Sequence, residues 1–172
     1  MREGAALGRV NRTIHCAALA LMALLASVCA QQMPASPGMA VPMPITRLPL
    51  DGAAFSGYEQ PITLVVRDRE TWQSTWSQVY RARNEVPPLP PIDFSTEMIV
   101  VAALGAKPTS GYAVELTSAY VSNGTVTVEA ASVSPGPLCV TLQVITNPVD
   151  IARLPRRDGA VQFHFTPRVA SC

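Results

Sequence analysis

The chain has 172 residues, of which 48% are hydrophobic and 15% charged, and its formal net charge is +1. Residues 1–30, interpreted below as a removable signal, hold three basic residues and one acidic residue, so the remaining chain carries about −1. This composition excludes a chain-wide basic surface for nucleic acid, and it supplies enough apolar residues for one packed core.

The N-terminus has the features of an export signal. Three arginines form a charged region, and Cys16–Ala26 is an apolar stretch shorter than the roughly 20 residues of a membrane span. Val28 and Ala30 occupy the small-residue positions of a signal-peptidase site, which predicts cleavage after Ala30. We therefore expect a periplasmic or secreted bacterial protein that is not inserted in the membrane after cleavage.

The alternative is a lipoprotein anchored through an acylated Cys29. Val28 stands immediately before this cysteine, where a small residue is usual, so the pattern fits less well than ordinary cleavage does. Both forms remain open at the level of the sequence.

The segment 31–44 is rich in proline and methionine and carries no charge. Such a composition cannot bury enough apolar surface to become ordered, so we predict a disordered tether. The remaining residues, 45–172, are predicted to form a single domain.

The first part of this domain predicts a strand followed by a helix. Ile62–Val66 has strand composition, and Asp68 can then cap a helix. The helix carries four large apolar residues at i, i+4, i+7 and i+8, a stripe typical of core packing: Trp72, Trp76, Val79 and Tyr80. The proline-rich segment 85–91 ends the helix and connects it to the next strand.

The centre of the domain is predicted to be a strand and a hairpin. Residues 98–105 form a continuous apolar run, as expected of a strand that is buried on both faces. Residues 112–121 and 125–133 alternate, and Asn123-Gly124 lies between them. The apolar residues of the two segments lie on the same face of the sheet if the turn has three residues and a glycine bulge. This turn would pair Tyr120 with Val126 and Leu116 with Ala130.

Three further segments, 140–145, 149–154 and 161–166, complete the predicted strands. The fold class that follows is β-rich α+β, an antiparallel sandwich of about seven strands with one packed helix. Of the four cysteines, Cys16 and Cys29 leave with the signal, so Cys139 and Cys172 are predicted to form a disulfide.

Residues suited to catalysis are sparse in the predicted mature chain. His164 is its single histidine and stands between two phenylalanines, which predicts an exposed histidine on a strand whose neighbours face the core. We find no metal-ligand spacing, nucleophile elbow or phosphate loop, and Asp93 and Glu97 suit a turn that enters a strand. We therefore expect a non-enzyme without cofactor or metal.

The segment between the first two central strands is longer than a hairpin needs. Pro108 restricts the backbone and Gly111 permits a positive φ, and rigidly presented loops often carry recognition. We predict a partner-binding loop with six members: Lys107, Pro108, Thr109, Ser110, Gly111 and Tyr112. The competing interpretation is that Pro108 and Gly111 only shape the turn, while Tyr112 packs inward.

Motifs spread over residues 49–165 resemble the PrcB-type protease-complex-subunit family. They are Ser56-Gly57, 62–67, Glu70-Thr71-Trp72 with Trp76, 91–95, 98–103, 105–112, Pro135-Gly136 and Asn147-Pro148. Ser110 stands where the family usually carries the first of two glycines. The resemblance implies a domain like the C-terminal part of PrcB. It also implies an exported accessory protein, which associates with or stabilises a protease or another envelope complex.

Lys107–Tyr112 is also similar to the loop that chagasin-type inhibitors insert into cysteine proteases, which implies an inhibitor as an alternative function. The helix with its two tryptophans is foreign to that family. A third alternative is an envelope-binding module without a protease partner.

Overall fold

The computed structural model describes residues 39–172. Its elements are β1 (Val41–Met43), β2 (Thr46–Arg47), β3 (Pro61–Val66), α1 (Arg69–Val79), β4 (Glu97–Leu104), β5 (Ala113–Ser122), β6 (Thr125–Ser134), β7 (Val149–Pro155) and β8 (Val161–Val169). The predicted export signal and residues 31–38 of the predicted tether lie outside the described part. Within that part, no helix is long and apolar enough to cross a membrane.

The strands form two four-stranded sheets, in the orders β1-β5-β6-β8 and β2-β7-β4-β3. All neighbouring strands are antiparallel except β6 and β8, which run parallel. The predicted β-rich sandwich with one helix is confirmed, with eight strands in the described residues where about seven were expected.

The two faces of β4 explain its continuous apolar sequence. Alternate residues, Val100 and Ala102 among them, pack between the two sheets, while Ile99 and Val101 pack against α1. The layers are therefore sheet, sheet and helix, and β4 is buried on both sides. This arrangement is the physical reason that β4 lacks the polar alternation of a half-exposed strand.

Helix α1 begins where the sequence predicts. The carboxylate of Asp68 accepts a hydrogen bond from the Thr71 amide at 2.8 Å, which satisfies one of the free donors of the first turn. Trp72 and Trp76 are buried, and their indole nitrogens donate to the Pro90 and Pro87 carbonyls. The predicted core stripe is confirmed, and the proline-rich connection supplies its polar partners.

The hairpin of β5 and β6 differs from the predicted register. Val121 pairs with Val126 across a two-residue turn, in which Asn123 and Gly124 have φ of 50° and 78°. The pair Leu116 and Ala130 forms as predicted, because a register shift between Leu116 and Ser118 absorbs the extra residue. The bulge therefore lies within β5, and Tyr120 pairs with Thr127 on the outer face.

The predicted tether 31–44 is wrong over its last residues. Val41–Met43 forms β1 and pairs with residues 119–121 of β5, and Met43 is buried in the core between the sheets. Pro42 has no amide to donate, which an edge strand tolerates. Pairing with β5 and burial of Met43 together offset the ordering cost that composition alone suggested could not be met.

Candidate functional site

The predicted binding loop, Lys107–Tyr112, follows β4 and is held by backbone hydrogen bonds to a distant segment. Lys107 and Thr146 exchange amide–carbonyl bonds of 2.7 and 3.0 Å, and the Thr146 hydroxyl donates to the Thr109 carbonyl at 2.9 Å. Pro108 and Gly111 are exposed while Tyr112 is half-buried, so the loop presents its tip to solvent. We call Lys107–Tyr112 the first loop.

The segment that holds the first loop was predicted to be a strand over Val140–Ile145, and that prediction is wrong. These residues form no strand, and Val140 is 100%, Leu142 69% and Ile145 67% exposed. Alternation of Val140, Leu142 and Val144 is typical of a strand. However, β4 and β6 already have a paired strand on both sides. The segment is left as an irregular loop.

We call Leu138–Ile145 the second loop. It is joined to the first loop at Ser110, whose amide donates to the Leu142 carbonyl at 3.0 Å and whose hydroxyl oxygen accepts from the Leu142 amide at 2.8 Å. Five of its apolar residues are exposed: Leu138, Val140, Leu142, Val144 and Ile145. The signal that could have identified this surface is the absence of any charged residue from 130 to 149.

Glycine at position 111 allows the first loop to pass close to the chain that leaves β6. Gly111 has a φ of 90°, a conformation that is unfavourable for residues other than glycine. A Cβ at this position would lie 3.0 Å from the Pro135 Cβ. The ammonium of Lys107 lies 6.0 Å from the centroid of the Tyr112 ring. The backbone constraint at Gly111 thus occurs together with an exposed tip and a half-buried Tyr112.

The second loop is also tied to the C-terminus. Cys139 and Cys172 lie at disulfide distance with Cα atoms 5.2 Å apart, and the Ala170 amide donates to the Ser134 carbonyl. This pairing agrees with the predicted one. The base of the second loop is therefore held by a covalent bond, although its five apolar side chains are exposed.

One buried carboxylate, which sequence reasoning did not single out, lies where the two sheets meet. Asp150 on β7 is 3% exposed and accepts hydrogen bonds from the Leu116 amide at 2.7 Å and the Ile151 amide at 3.0 Å. The half-exposed Arg47 forms an ion pair with it at 2.8 Å. Burial raises the pKa of Asp150, while the hydrogen bond from Leu116 and the charge of Arg47 act in the opposite direction.

These loops and strands are the part of the chain that resembles a known family. Residues 98–155 match the family model described as PrcB C-terminal. The predicted resemblance is confirmed over this range, from β4 to β7, which includes both loops, Cys139 and Asp150. No curated protein and no solved structure matches the chain.

Two motifs of the family resemblance contact each other in the structure. Ser56-Gly57 lies outside residues 98–155, and Asn147-Pro148 lies inside them. Ser56-Gly57 lies against Asn147: the Ser56 hydroxyl donates to the Asn147 carbonyl at 2.7 Å, and the Asn147 side chain donates to the Tyr58 carbonyl. Gly57 packs so closely on the helix end that a Cβ would lie 2.4 Å from the Gln78 carbonyl oxygen. These residues fix the base of the second loop.

The remaining polar groups that the sequence singled out lie apart from the two loops. His164 on β8 is exposed and contacts Glu129 at 2.7 Å, and Phe163 and Phe165 pack against the core as predicted. Asp93 accepts hydrogen bonds from Ser95 in the turn before β4, and these bonds lower its pKa. In the described residues no group of three histidine, cysteine or acidic side chains is arranged to hold a metal.

Proposed function

We propose that this protein is an exported, non-enzymatic binding subunit that associates with a protease or another envelope protein complex through its two loops. The observation that carries the proposal is the five exposed apolar residues of the second loop, on a backbone that is braced from three directions. Exposed apolar patches on folded proteins mark interaction sites. The match of this region to the PrcB C-terminal family supports a protein complex as the partner.

Bracing matters because it lowers the entropy cost of association. Ser110, Thr146 and the cysteine pair already hold the loops in one arrangement, so a partner would not need to order them on binding. The exposed side chains would then supply contact area, with most of the affinity expected from a few of them. Export is supported by the signal-like N-terminus and by the cysteine pair, since disulfides persist in oxidising compartments.

The test compares two double variants in capture of proteins from the native envelope. Val140→Ser with Leu142→Ser alters the second loop, whereas Val41→Ser with Val86→Ser alters two exposed apolar positions elsewhere, 55% and 52% exposed. Because the loop side chains already contact water, we expect little change in melting temperature for the loop variant. We expect at least tenfold less of one stoichiometric partner with it and no change with the control.

The single lysine of the chain gives an independent readout. Lys107 begins the first loop, so an amine-reactive crosslinker can attach the folded domain to a partner only there or at the N-terminus. The proposal predicts a crosslink through Lys107 in the wild-type complex. Equal capture by both double variants, together with no crosslink at Lys107, would contradict the proposed surface.

A second candidate function is inhibition of a cysteine protease by Lys107–Tyr112. It is favoured by the exposed Pro108 and Gly111 on a loop whose ends are held by Thr146 and Leu142. Adding the protein to a papain-type protease distinguishes the two functions. A stabilising subunit leaves the initial rate unchanged and prolongs activity, whereas an inhibitor lowers the initial rate.

A further inference from the structure

An open cleft lies on the side of the sandwich where each sheet ends. β3 is the last strand of one sheet and β8 the last strand of the other, and residues of both line a space of about 390 Å³. The lining is mainly apolar, with Ile62, Leu104 and Phe165 among its members, and the hydroxyl residues Thr63 and Ser132 also contribute. Its volume lies at the lower end of the range of about 300–1,000 Å³ for small-molecule sites.

The two ends of this side of the sandwich differ. Arg67, which follows β3, donates from Nε to the Arg157 carbonyl and from Nη2 to the Gly159 carbonyl, both at 2.9 Å. Arg67 therefore spans the gap between β3 and the start of β8. At the opposite end, next to the paired residues Pro61 and Leu104, the cleft is lined by Lys107.

Lys107 is the one charged residue among those that line the cleft. In the described residues no carboxylate lies within ion-pair distance of its ammonium, and no acidic residue lines the cleft. A lysine at one end of a mainly apolar cleft matches an anionic head followed by one apolar chain.

We propose that the cleft between β3 and β8 binds a single-chain fatty carboxylate, with its head group on Lys107 and its tail between Thr63 and Phe165. This site lies outside the exposed surface of the second loop, and the proposal does not depend on the proposed function. It assigns to Lys107 a ligand contact in addition to its place in the first loop.

Because Lys107 is the only lysine, a single resonance can report on the site. Reductive methylation with ¹³C-formaldehyde labels Lys107 and the N-terminus and keeps the positive charge. The labelled full-length mature protein is titrated with decanoate below its micelle concentration, and decanol serves as the uncharged analogue. We expect a saturable shift of the lysine signal with decanoate and at least tenfold weaker binding of decanol.

Two variant pairs test the geometry, with affinity measured by calorimetry on unlabelled protein. Lys107→Met should weaken decanoate binding at least tenfold while Lys107→Arg preserves it. Thr63→Phe fills the cleft and should weaken binding at least tenfold, whereas Thr166→Phe, at an exposed position next to Phe165, should not. Melting curves test whether Thr63→Phe is folded. If Thr63→Phe does not fold, Ser132→Leu is used instead, because it fills the cleft from the opposite sheet.

Three results would overturn the proposal: no saturable shift of the Lys107 signal, equal affinity for decanol and decanoate, or undiminished binding by the folded cleft-filling variant. A tetrapeptide, Ala-Ala-Leu-Leu with a free carboxylate, tests the competing ligand class. Tighter binding of this peptide than of decanoate would assign the cleft to a polypeptide C-terminus and reject a fatty carboxylate.

Discussion

Replacing the buried Asp150 with alanine should destabilise the protein more than any surface change. The substitution removes the acceptor of the Leu116 and Ile151 amides, which belong to residues 1% and 0% exposed. Each buried donor left without a partner costs about 1–3 kcal/mol, and relief from burying a charge offsets part of the sum. We expect a net loss of about 2–4 kcal/mol, or roughly 8–16 °C in melting temperature for a domain of this size.

Two companion variants divide this loss into its causes. Arg47→Gln removes the charged partner but leaves both amides bonded, and because Arg47 is half-exposed the cost should be at most about 1 kcal/mol. Asp150→Asn keeps one carbonyl oxygen for the Leu116 amide and should fall between the two. Thermal and urea unfolding, followed by circular dichroism, measure all three proteins against the wild type.

The pH dependence gives the sign of the electrostatic effect. Burial raises the pKa of Asp150 above its ordinary value of 3.8, so the folded state holds this proton more tightly than the unfolded state does. Its contribution to stability is therefore greatest below about pH 3.8 and declines as the pH rises through the raised pKa. The difference in unfolding free energy between wild type and Asp150→Asn should shrink over the same range.

Two results would refute this reasoning. If Asp150→Ala melts within about 2 °C of the wild type, the carboxylate does not hold the two sheets together, since the expected loss is several times larger. If the difference between wild type and Asp150→Asn grows as the pH rises, the Arg47 charge and the two amides outweigh burial, and the folded-state pKa is lowered.

Two further predictions concern the helix and the C-terminus. Trp76→Ala should cost about 3–5 kcal/mol, because the indole is 4% exposed and donates to Pro87; an unchanged melting temperature would show that the stripe is not core. Replacing Cys139 and Cys172 with serine should lower stability by roughly 3–4 kcal/mol on the loop-entropy model, and peptide mapping of the oxidised protein should recover the two cysteines as one linked fragment.

Local patterns were sufficient to predict α1 and β4. The i, i+4, i+7, i+8 spacing of Trp72, Trp76, Val79 and Tyr80 specifies one helical face, and the Asp68 cap depends only on residues within one turn. The unbroken apolar run of β4 required burial on two sides, which a helix packed on a sandwich provides. The contacts that determine α1 lie within a few residues of one another. Those that determine β4 require only an apolar layer on each face, whichever elements supply it.

The errors arose where a distant partner decided the structure. Composition predicts disorder at Val41–Met43, and alternation predicts a strand at Val140–Ile145. Both predictions failed, because Val41–Met43 pairs with β5 whereas Val140–Ile145 joins neither sheet. The bulge near Thr117 likewise depends on β5 meeting both β6 and Asp150, since the Leu116 amide turns to the carboxylate. No alternation pattern contains this information, because the residues that decide it lie 34 positions apart.

Of the two loops in the candidate site, the sequence indicated only the first. The first loop was identified from Pro108 and Gly111, but its partner segment was assigned to a strand, so the exposed apolar surface was missed. That surface follows from two facts together: Val140–Ile145 has a strand-like sequence, and it joins neither sheet. Exposed backbone and apolar side chains of this kind favour aggregation unless something restrains or covers them.

The restraints on the second loop act on its backbone and leave its side chains free. Ser110 bonds both polar backbone groups of Leu142, Thr146 pairs with Lys107, and Cys139 is tied to Cys172, yet Leu142 keeps 69% of its surface in water. If the loop served only to connect β6 to β7, polar side chains would meet the same backbone requirements without exposing apolar area. The stability of this domain therefore does not account for the combination of a fixed backbone and exposed apolar side chains, whereas the proposed contact with another molecule would.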